Sequence, residues 1–159
     1  MENSGTVYLK MERLVEIENE LKDLMINQRK AVAEKIAEAR AHGDISENAE
    51  YDAAREAQAH LEMKISKMEK MLSRVKVINM DEMPKGVVHI LSVVKVKDLT
   101  HKEEISFTLV SPEESDFELD KISIISPLGK LLLGKKVGEV VNVEIPEGTI
   151  QYKILSINK

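Results

Sequence analysis

The first half of the chain carries its apolar residues at helical spacing. From Tyr8 to His42 they recur every three or four positions with no proline or glycine between them, which predicts one long helix. A second run of the same kind follows and reaches residue 75. The positions predicted to form the contact between the two helices, called the seam below, are Leu14, Ile17, Leu21, Leu24, Gln28, Val32, Ile36 and Ala39 in the first run, and Gln58, Leu61, Ile65, Met68, Leu72 and Val75 in the second. Up to Gln28 the average period is that of a coiled coil, and the register then slips towards the ordinary helical period.

Gly43 interrupts this helical pattern, and a polar cluster restarts it. Glycine readily leaves a helix through a left-handed conformation, and the residues Asp44, Ser46 and Asn48 are good N-caps for a following helix. The first half therefore predicts an antiparallel coiled-coil hairpin with acidic residues at its turn. Each arm has roughly thirty residues, which gives a length of about 45 Å at the rise of an α-helix. A compact globule of this size does not need so long a hairpin.

The second half changes to the pattern of short strands. Pro84 and Gly86 lie where the helical spacing ends, so residues 80–86 are predicted to be a linker. Beyond the linker, β-branched residues and short alternating runs predict strands separated by turns. These runs are Val87–Leu91, Val93–Leu99, Ile105–Val110, Ile122–Ile125, Val137–Ile145 and Ile150–Ile157.

One short helix is also predicted within the second half. Ser126 would cap it, Pro127 would take its first position, and Gly134 would follow its end. Together these elements predict an α+β protein. Residues 1–79 would form the hairpin, and residues 87–159 would form a small, mostly antiparallel β domain with the one short helix.

Composition and charge narrow the functions that this chain can perform. Its net charge is −5 and both halves carry an excess of acid, so neither half is the basic surface of a protein that grips nucleic acid unaided. The absence of cysteine excludes disulfides, cysteine-based zinc sites and thiol nucleophiles. The longest apolar run is far too short to span a bilayer, and the N-terminus has no secretory signal pattern. We therefore expect a cytoplasmic protein with no membrane contact, whose link to RNA is local or runs through a protein partner.

The spacing between the acids Asp44 and Glu47 is compatible with two roles. Three residues apart at a helix start, they fit a capping box, in which Asp44 accepts the backbone N–H of Glu47 and Glu47 reaches back. They also fit a hairpin tip that projects carboxylates and binds a hard divalent cation. Magnesium suits such a tip, because proteins commonly hold it with one or two carboxylates while water and phosphate supply the remaining ligands. Spacing alone favours the capping box.

The turn is also the part of the chain that resembles a known family. Residues 42–51, H-G-D-I-S-E-N-A-E-Y, followed by A-A-R at 53–55, resemble the hairpin tip of the bacterial Gre transcript-cleavage factors of the GreA type. Residues 126–138, which begin S-P-L-G and continue to L-G-K-K-V-G, resemble the C-terminal domain of the same family. The resemblance spans nearly the whole chain, and it implies that the β domain is similar to the FK506-binding proteins (FKBP-like).

Carried over by position, the resemblance implies an accessory factor and not an enzyme. The hairpin would enter the secondary channel of bacterial RNA polymerase and stimulate the polymerase's own cleavage of backtracked RNA near its 3′ end. Asp44 and Glu47 would be the catalytic acids that hold Mg²⁺ jointly with the polymerase, for two-metal hydrolysis of the phosphodiester bond. The free protein would not hold this ion tightly. Asn48, Glu50 and Tyr51 would support the tip, although Tyr51 could equally pack across the hairpin.

Arg40 and Arg55 flank the acids, one on each arm of the hairpin. They are either solvated helix charges, with Arg55 at pairing distance from Asp52, or, as the resemblance implies, they hold the 3′ segment of the RNA. In the β domain the resemblance implies a surface that docks on the polymerase. The candidate docking residues are Ser126, Pro127, Gly129 and Gly134.

Other functions compete with cleavage stimulation. A regulator of the same shape would occupy the channel and inhibit the polymerase without cleavage, but the intact tip pattern G-D-x-x-E-N favours cleavage. A peptidyl-prolyl isomerase would line its proline pocket with aromatic residues, and after Pro84 the chain has only Phe107, Phe117 and Tyr152. A plain coiled-coil adaptor would not need acids at its tip. We expect the protein to be a monomer.

Overall fold

The computed structural model of the chain describes residues 5–43 and 48–159. Within these residues the protein is α+β, with a helical hairpin region and a β-sheet domain. The chain divides into two compact units, of which Glu12–Arg74 is one and the chain on either side of it is the other. In the part of the chain that the structure describes, no helix is long and apolar enough to cross a membrane.

The helical unit consists of two arms. The first arm contains α1 (Met11–Asp23), a π-helical segment (Leu24–Gln28) and α2 (Arg29–Ala41), and the second arm is α3 (Ala49–Leu72). Gly43 has a φ of 101° just after the first arm, which is the left-handed conformation that glycine was predicted to supply. The two helical arms are therefore confirmed, although the first begins at Met11 and not at Tyr8, and the second ends at Leu72 and not at Val75.

The π-helical segment lies where the predicted seam changes register. Leu24 is buried and Val32 is half-buried, so two turns of the seam contain eight residues here. Two turns of a regular coiled coil contain the seven residues of one heptad. A π turn has one residue more than an α turn and absorbs this difference. Gln28, which was predicted to lie in the seam, is exposed because the additional residue turns it away.

A bidentate ion pair joins the two arms directly after the π-helical segment. Arg29 donates from Nε and Nη2 to the two carboxylate oxygens of Glu62, at 2.9 and 2.8 Å. This hydrogen bonding holds the pKa of the Glu62 carboxyl below its usual value and raises the pKa of Arg29. Because both side chains are close to half exposed, we expect the pair to set which residues of the two arms face each other more than to stabilise the fold.

The residues before α1 form a strand and not the predicted start of the helix. β1 (Val7–Leu9) pairs in parallel with β2 (Val75–Val77), and the first and last residues of β1 are buried. The backbone N–H of Tyr8 donates to the hydroxyl of Ser111 at 2.9 Å, across 103 positions of sequence. The prediction of a helix from Tyr8 was wrong because this strand is stabilised by residues far along the chain, which helical spacing does not reveal.

The β domain contains a five-stranded sheet. Its strands are β3 (Val93–Asp98), β4 (Glu104–Val110), β5 (Lys121–Ser123), β6 (Val140–Ile145) and β7 (Gly148–Asn158). Their spatial order is β5-β4-β3-β7-β6, and every neighbouring pair is antiparallel except the parallel pair of β4 and β5. The prediction of a mostly antiparallel sheet is therefore confirmed, with one parallel edge strand that was not anticipated.

The core of the β domain combines the sheet with α4 (Pro127–Leu132), the predicted short helix. Its buried members are Val88, Val94, Val96, Leu109, Leu132, Val141 and Ile154. Residues 87–91, predicted as a strand, lie outside the sheet, and Leu91 has a φ of 72°. The hydroxyl of Ser92 accepts the N–H of His89 at 3.0 Å, so a side chain replaces the sheet partner there. The apolar run in this segment reflects burial in the core.

The turn between β3 and β4 is held by a buried carboxylate. One oxygen of Asp98 accepts the backbone N–H groups of Thr100 and His101 at 2.8 and 3.1 Å, and its other oxygen lies 2.8 Å from Nδ1 of His101. Asp98 raises the pKa of His101 above its ordinary value of 6.5, chiefly through this side-chain hydrogen bond. The same contact lowers the pKa of Asp98.

A pH-dependent stability follows from this contact. The raised pKa of His101 contributes stability that is fully present below pH 6.5 and is lost as the pH rises through the raised value. We therefore expect His101→Gln to lower the free energy of unfolding more in weakly acidic than in weakly alkaline solution. Denaturation at both pH values measures the difference, with His60→Gln as a control on an exposed histidine of the hairpin. A loss of equal size at both pH values would contradict this role.

Candidate functional site

The two acids predicted to be catalytic, Asp44 and Glu47, lie outside the described residues. The structure does describe the two helix ends that flank them, since α2 ends at Ala41 and α3 begins at Ala49. The side chains considered at these two ends are those of Arg40, His42, Asn48, Glu50, Tyr51 and Arg55. Their contacts define the surroundings of the segment that carries the acids.

Asn48 joins the two helix ends. Its side-chain oxygen accepts the backbone N–H of Tyr51 at 3.1 Å, which makes it the N-cap of α3. Its side-chain nitrogen donates to the backbone carbonyl of Ala39, near the end of α2, at 2.5 Å. Asn48 was one of the predicted capping residues. Because it caps α3, this helix does not need a capping box formed by Asp44 and Glu47.

Removing the Asn48 side chain should weaken the connection between the two helix ends. We expect Asn48→Ala to lower the free energy of unfolding of the hairpin by about 1–2 kcal/mol, because α3 loses its cap and the carbonyl of Ala39 loses a donor. Asn48→Asp keeps an oxygen that can cap the helix, so its loss should be smaller. Urea denaturation followed by helical circular dichroism measures both, with the exposed Asn142→Ala as a control in the β domain. Equal losses in the Ala and Asp variants would argue against the capping role.

Small side chains bring the two arms together beneath the turn. Ala39 and Ala54 are 2% and 6% exposed, so the helices approach closely there. An open groove of about 490 Å³ lies beside them, lined by Lys35, Glu38, His42, Glu50, Ala53, Ala54 and Ala57. Nδ1 of His42 lies 3.1 Å from a carboxylate oxygen of Glu50, across the turn. Glu50, predicted to support the tip, therefore contacts the other arm.

The ring of Tyr51 lies near two arginines from opposite arms. The guanidinium carbon of Arg40 lies 5.8 Å from the centroid of the Tyr51 ring, and that of Arg55 lies 5.9 Å from it. Nη1 of Arg55 also donates to the Tyr51 hydroxyl at 3.0 Å. Arg40 and then Arg55 lower the pKa of Tyr51, because both stabilise the phenolate. Arg55 thus contacts Tyr51, four residues away, and not the Asp52 carboxylate considered from the sequence.

The sequence did not reveal that these three residues form one cluster. The spacing of Tyr51 and Arg55 by four residues on a helix was an available signal, because such residues lie on the same face. Arg40 could not be added in the same way. It lies on the other side of the turn, and its distance from Tyr51 depends on how the two helices meet.

A metal at the tip would depend on the two acids themselves. Within residues 5–43 and 48–159, no group of three or more His, Asp or Glu side chains is arranged to hold a metal ion. The carboxylates of Asp44 and Glu47 are hard oxygen donors, which is the chemistry that Mg²⁺ prefers. Two such donors leave most of the ion's ligand positions to water or to a partner.

The predicted docking residues of the β domain have structural roles at the start of α4. The hydroxyl of Ser126 accepts the N–H of Gly129 at 3.0 Å and donates to the carbonyl of Ser123 at 2.6 Å. A Cβ atom on Gly129 would overlap that same carbonyl oxygen. Gly134 has a φ of 81° after the helix. Pro127 is the exposed residue at the first position of α4, where a partner could reach it.

Comparison with known proteins covers almost the whole chain. The family profile described as "Transcription elongation factor, N-terminal" matches residues 7–77, and that described as "Transcription elongation factor, GreA/GreB, C-term" matches residues 83–159. Transcription elongation factor GreA of Chloroherpeton thalassium is 47% identical over 154 residues, covering 97% of this chain and 98% of that protein.

Two further proteins extend this comparison. Transcription elongation factor GreA of Chlorobium phaeobacteroides is 50% identical over 156 residues, with 97% of this chain and 98% of that protein covered. A solved structure of the transcription factor Gfh1 is 27% identical, with a TM-score of 0.49 and coverage of 99% of this chain and 100% of that one. On the two family profiles and the GreA relatives, this chain belongs to the GreA/GreB family of transcription elongation factors.

Proposed function

We propose that this protein stimulates bacterial RNA polymerase to cleave backtracked RNA and so rescues arrested transcription complexes. The observation that carries the proposal is the tip sequence G-D-x-x-E-N at the turn of a long helical hairpin in a chain of the GreA/GreB family. The hairpin would enter the secondary channel of the polymerase and bring the tip to the 3′ end of the RNA. The protein would act as a monomer in the cytoplasm, where the polymerase works.

The contacts between the two arms support a hairpin that is rigid enough to enter another protein. The buried seam and the Arg29–Glu62 ion pair fix the arms against each other, as an antiparallel coiled coil requires. Asn48 ties the end of the first arm to the start of the second. A tip that must deliver acids to another protein's active site benefits from this rigidity, because small displacements of catalytic groups cost large factors in rate.

Asp44 and Glu47 would be the acids that the tip delivers. Their carboxylates would bind Mg²⁺ together with ligands from the polymerase, and the bound ion would supply activation of water and stabilisation of the leaving oxygen. Since Asn48 caps α3, the helix start does not require these carboxylates. Two carboxylates cannot complete the ligand shell of Mg²⁺, so the isolated protein should bind the ion weakly and should not cleave RNA by itself.

The basic residues beside the tip would act on the RNA. Arg40 and Arg55 are exposed on opposite arms, within reach of the same tyrosine ring. Guanidinium groups bind phosphate oxygens through paired hydrogen bonds, so the two arginines would hold the 3′ segment of the transcript while the acids act. These two cations are the groups of the tip that could bind RNA phosphates in a chain whose overall charge does not favour nucleic acid.

The β domain would dock on the surface of the polymerase. We propose that its curved sheet and single helix form an FKBP-like module in which Ser126, Pro127, Gly129 and Gly134 build the docking edge. The exposed Pro127 offers an apolar contact there. Phe117, which is 95% exposed in the connection between β4 and β5, adds a large apolar side chain to the surface of the same domain. This domain would contribute affinity, and the hairpin would contribute chemistry.

A transcript-cleavage assay tests the proposal. The protein and magnesium are added to purified bacterial RNA polymerase that is stalled and backtracked on a 5′-labelled transcript. Shortened RNA that can be extended again supports the proposal, and the same RNA without polymerase should stay intact. Inhibition of the polymerase without shortened RNA would instead identify an inhibitory channel-binding regulator. Cleavage of RNA without polymerase, in a preparation free of contaminating nuclease, would contradict the role of an accessory factor.

A further inference from the structure

We propose that Tyr51 is a positioning residue that gathers Arg40 and Arg55, from opposite arms of the hairpin, into a single two-guanidinium site for an RNA phosphate group. The inference rests on the proposed function, because the transcript is the ligand of this site. In this role Tyr51 orients the two arginines, which neither the acids Asp44 and Glu47 nor the helix cap Asn48 does.

The geometry explains why a tyrosine is needed at this position. Arg40 lies in the last turn of α2 and Arg55 lies in the second turn of α3, and each guanidinium carbon is within 6 Å of the same ring centroid. Two cations on long, exposed side chains repel each other and would otherwise point apart into solvent. The negative face of an aromatic ring attracts both cations and offsets part of this repulsion.

The hydroxyl of Tyr51 adds a directional contact to the ring. It accepts a hydrogen bond from Nη1 of Arg55 at 3.0 Å, which fixes the rotation of that guanidinium. A guanidinium has five N–H donors, so Arg55 retains donors for phosphate oxygens. Both arginines also lower the pKa of Tyr51, which agrees with two positive groups held close to one phenol oxygen.

Among the described residues, the acid that directly precedes Tyr51 in the sequence contacts a partner other than the two arginines. Glu50, one residue before Tyr51, faces His42 at 3.1 Å, on the side of the turn with the groove. The two guanidinium groups over the Tyr51 ring disfavour stacking of a nucleobase on that ring. The cluster of Tyr51, Arg40 and Arg55 therefore fits a phosphate group of the transcript. Asp44 and Glu47 would act on the phosphodiester bond of that phosphate.

Tyr51→Leu and Tyr51→Phe in the cleavage assay test the role of the ring and of the hydroxyl. We expect Tyr51→Leu to lower the cleavage rate at saturating factor about tenfold, with little change in the concentration that gives half the maximal rate. Tyr51→Phe keeps the ring and should lower the rate only about two- to threefold. Tyr152→Phe removes a hydroxyl in the β domain and serves as the matched control. A normal rate for Tyr51→Leu would overturn the proposal.

A double-mutant cycle separates positioning from an independent role. When both arginines are already replaced by Ala, adding Tyr51→Leu should not reduce the cleavage rate further, because nothing remains to be positioned. A further reduction of similar size to that in the wild-type background would mean that Tyr51 acts on its own or only maintains the fold. Tyr51→Phe serves the same cycle if the Leu variant does not fold.

A measurement on the free protein distinguishes failure of this inference from failure of the proposed function. The chain has three tyrosines, and comparison with Tyr51→Phe identifies the contribution of the Tyr51 phenol to the titration followed by ultraviolet absorbance. Arg40→Ala and Arg55→Ala should each raise the pKa of Tyr51, with Lys67→Ala as an exposed control on the same helix. If these titrations behave as expected but the polymerase does not cleave, the cluster exists and the proposed function is wrong. If neither arginine changes the titration, the cluster is absent.

Discussion

Replacing Asp44 with Asn and Glu47 with Gln together is expected to reduce stimulated cleavage by orders of magnitude. The neutral amides remove both negative charges that would attract Mg²⁺, and they are poor ligands for this hard cation. A higher magnesium concentration should restore the rate only in part, since the polymerase would then supply all the protein ligands for the ion. The measurement is transcript shortening on a backtracked complex over a range of magnesium concentrations.

The same double variant should keep its fold and its affinity for the polymerase. Asn48 caps α3, and the buried seam holds the arms, so the free energy of unfolding should fall by at most about 1 kcal/mol. Helicity, affinity and cleavage are measured on one preparation. The matched control is Asp52→Asn with Glu56→Gln, which removes two exposed acids from α3. Cleavage near the wild-type rate with unchanged affinity would show that Asp44 and Glu47 are not the metal ligands.

Gly129→Ala is expected to destabilise the β domain by about 1–3 kcal/mol, although it adds only one methyl group. A Cβ atom at this position overlaps the carbonyl oxygen of Ser123, and backbone cannot move aside as a flexible side chain would. The start of α4 must therefore shift away from the end of β5, which also strains the cap that Ser126 provides. Urea denaturation followed through amide signals of β3 and β7 measures this loss.

Gly134→Ala is the matched control for this substitution. Gly134 has a φ of 81°, but nothing lies within 4 Å of an added Cβ, so the cost there is only that of a left-handed conformation, about 1 kcal/mol. If Gly129→Ala were no more destabilising than Gly134→Ala, the close approach of α4 to Ser123 would not be essential to the fold. If both variants stayed folded but lost affinity for the polymerase, the two glycines would belong to the docking surface directly.

The elements that sequence reasoning predicted well are those determined by neighbours in the chain. The helices of the hairpin follow from apolar residues three and four apart, and Gly43 and Asn48 mark the turn with residue types that suit left-handed backbone and helix caps. Ser126 and Pro127 predicted the start of α4 for the same reason. In each case the deciding interaction spans at most a few residues.

Other features depended on contacts between distant residues and could not be predicted in this way. The strand Val7–Leu9 forms because a partner strand and Ser111 lie beside it, and residues 87–91 stay out of the sheet although their composition favours a strand. The exposure of Gln28 depends on the π-helical segment, and the apolar spacing showed a slip in register there without indicating a π-helix.

In the candidate site as well, some features follow from neighbouring residues and others from contacts between distant residues. The order of residues around the turn determined by itself that acids, a capping amide, a tyrosine and flanking arginines occur together, because they are adjacent in the chain. Only the tertiary structure decided that Asn48 bonds to Ala39 across the turn and that Arg40 and Arg55 meet over one tyrosine ring. These contacts depend on the distance and rotation between two packed helices. That geometry is set by small buried side chains such as Ala39 and Ala54 acting together, which no local pattern specifies.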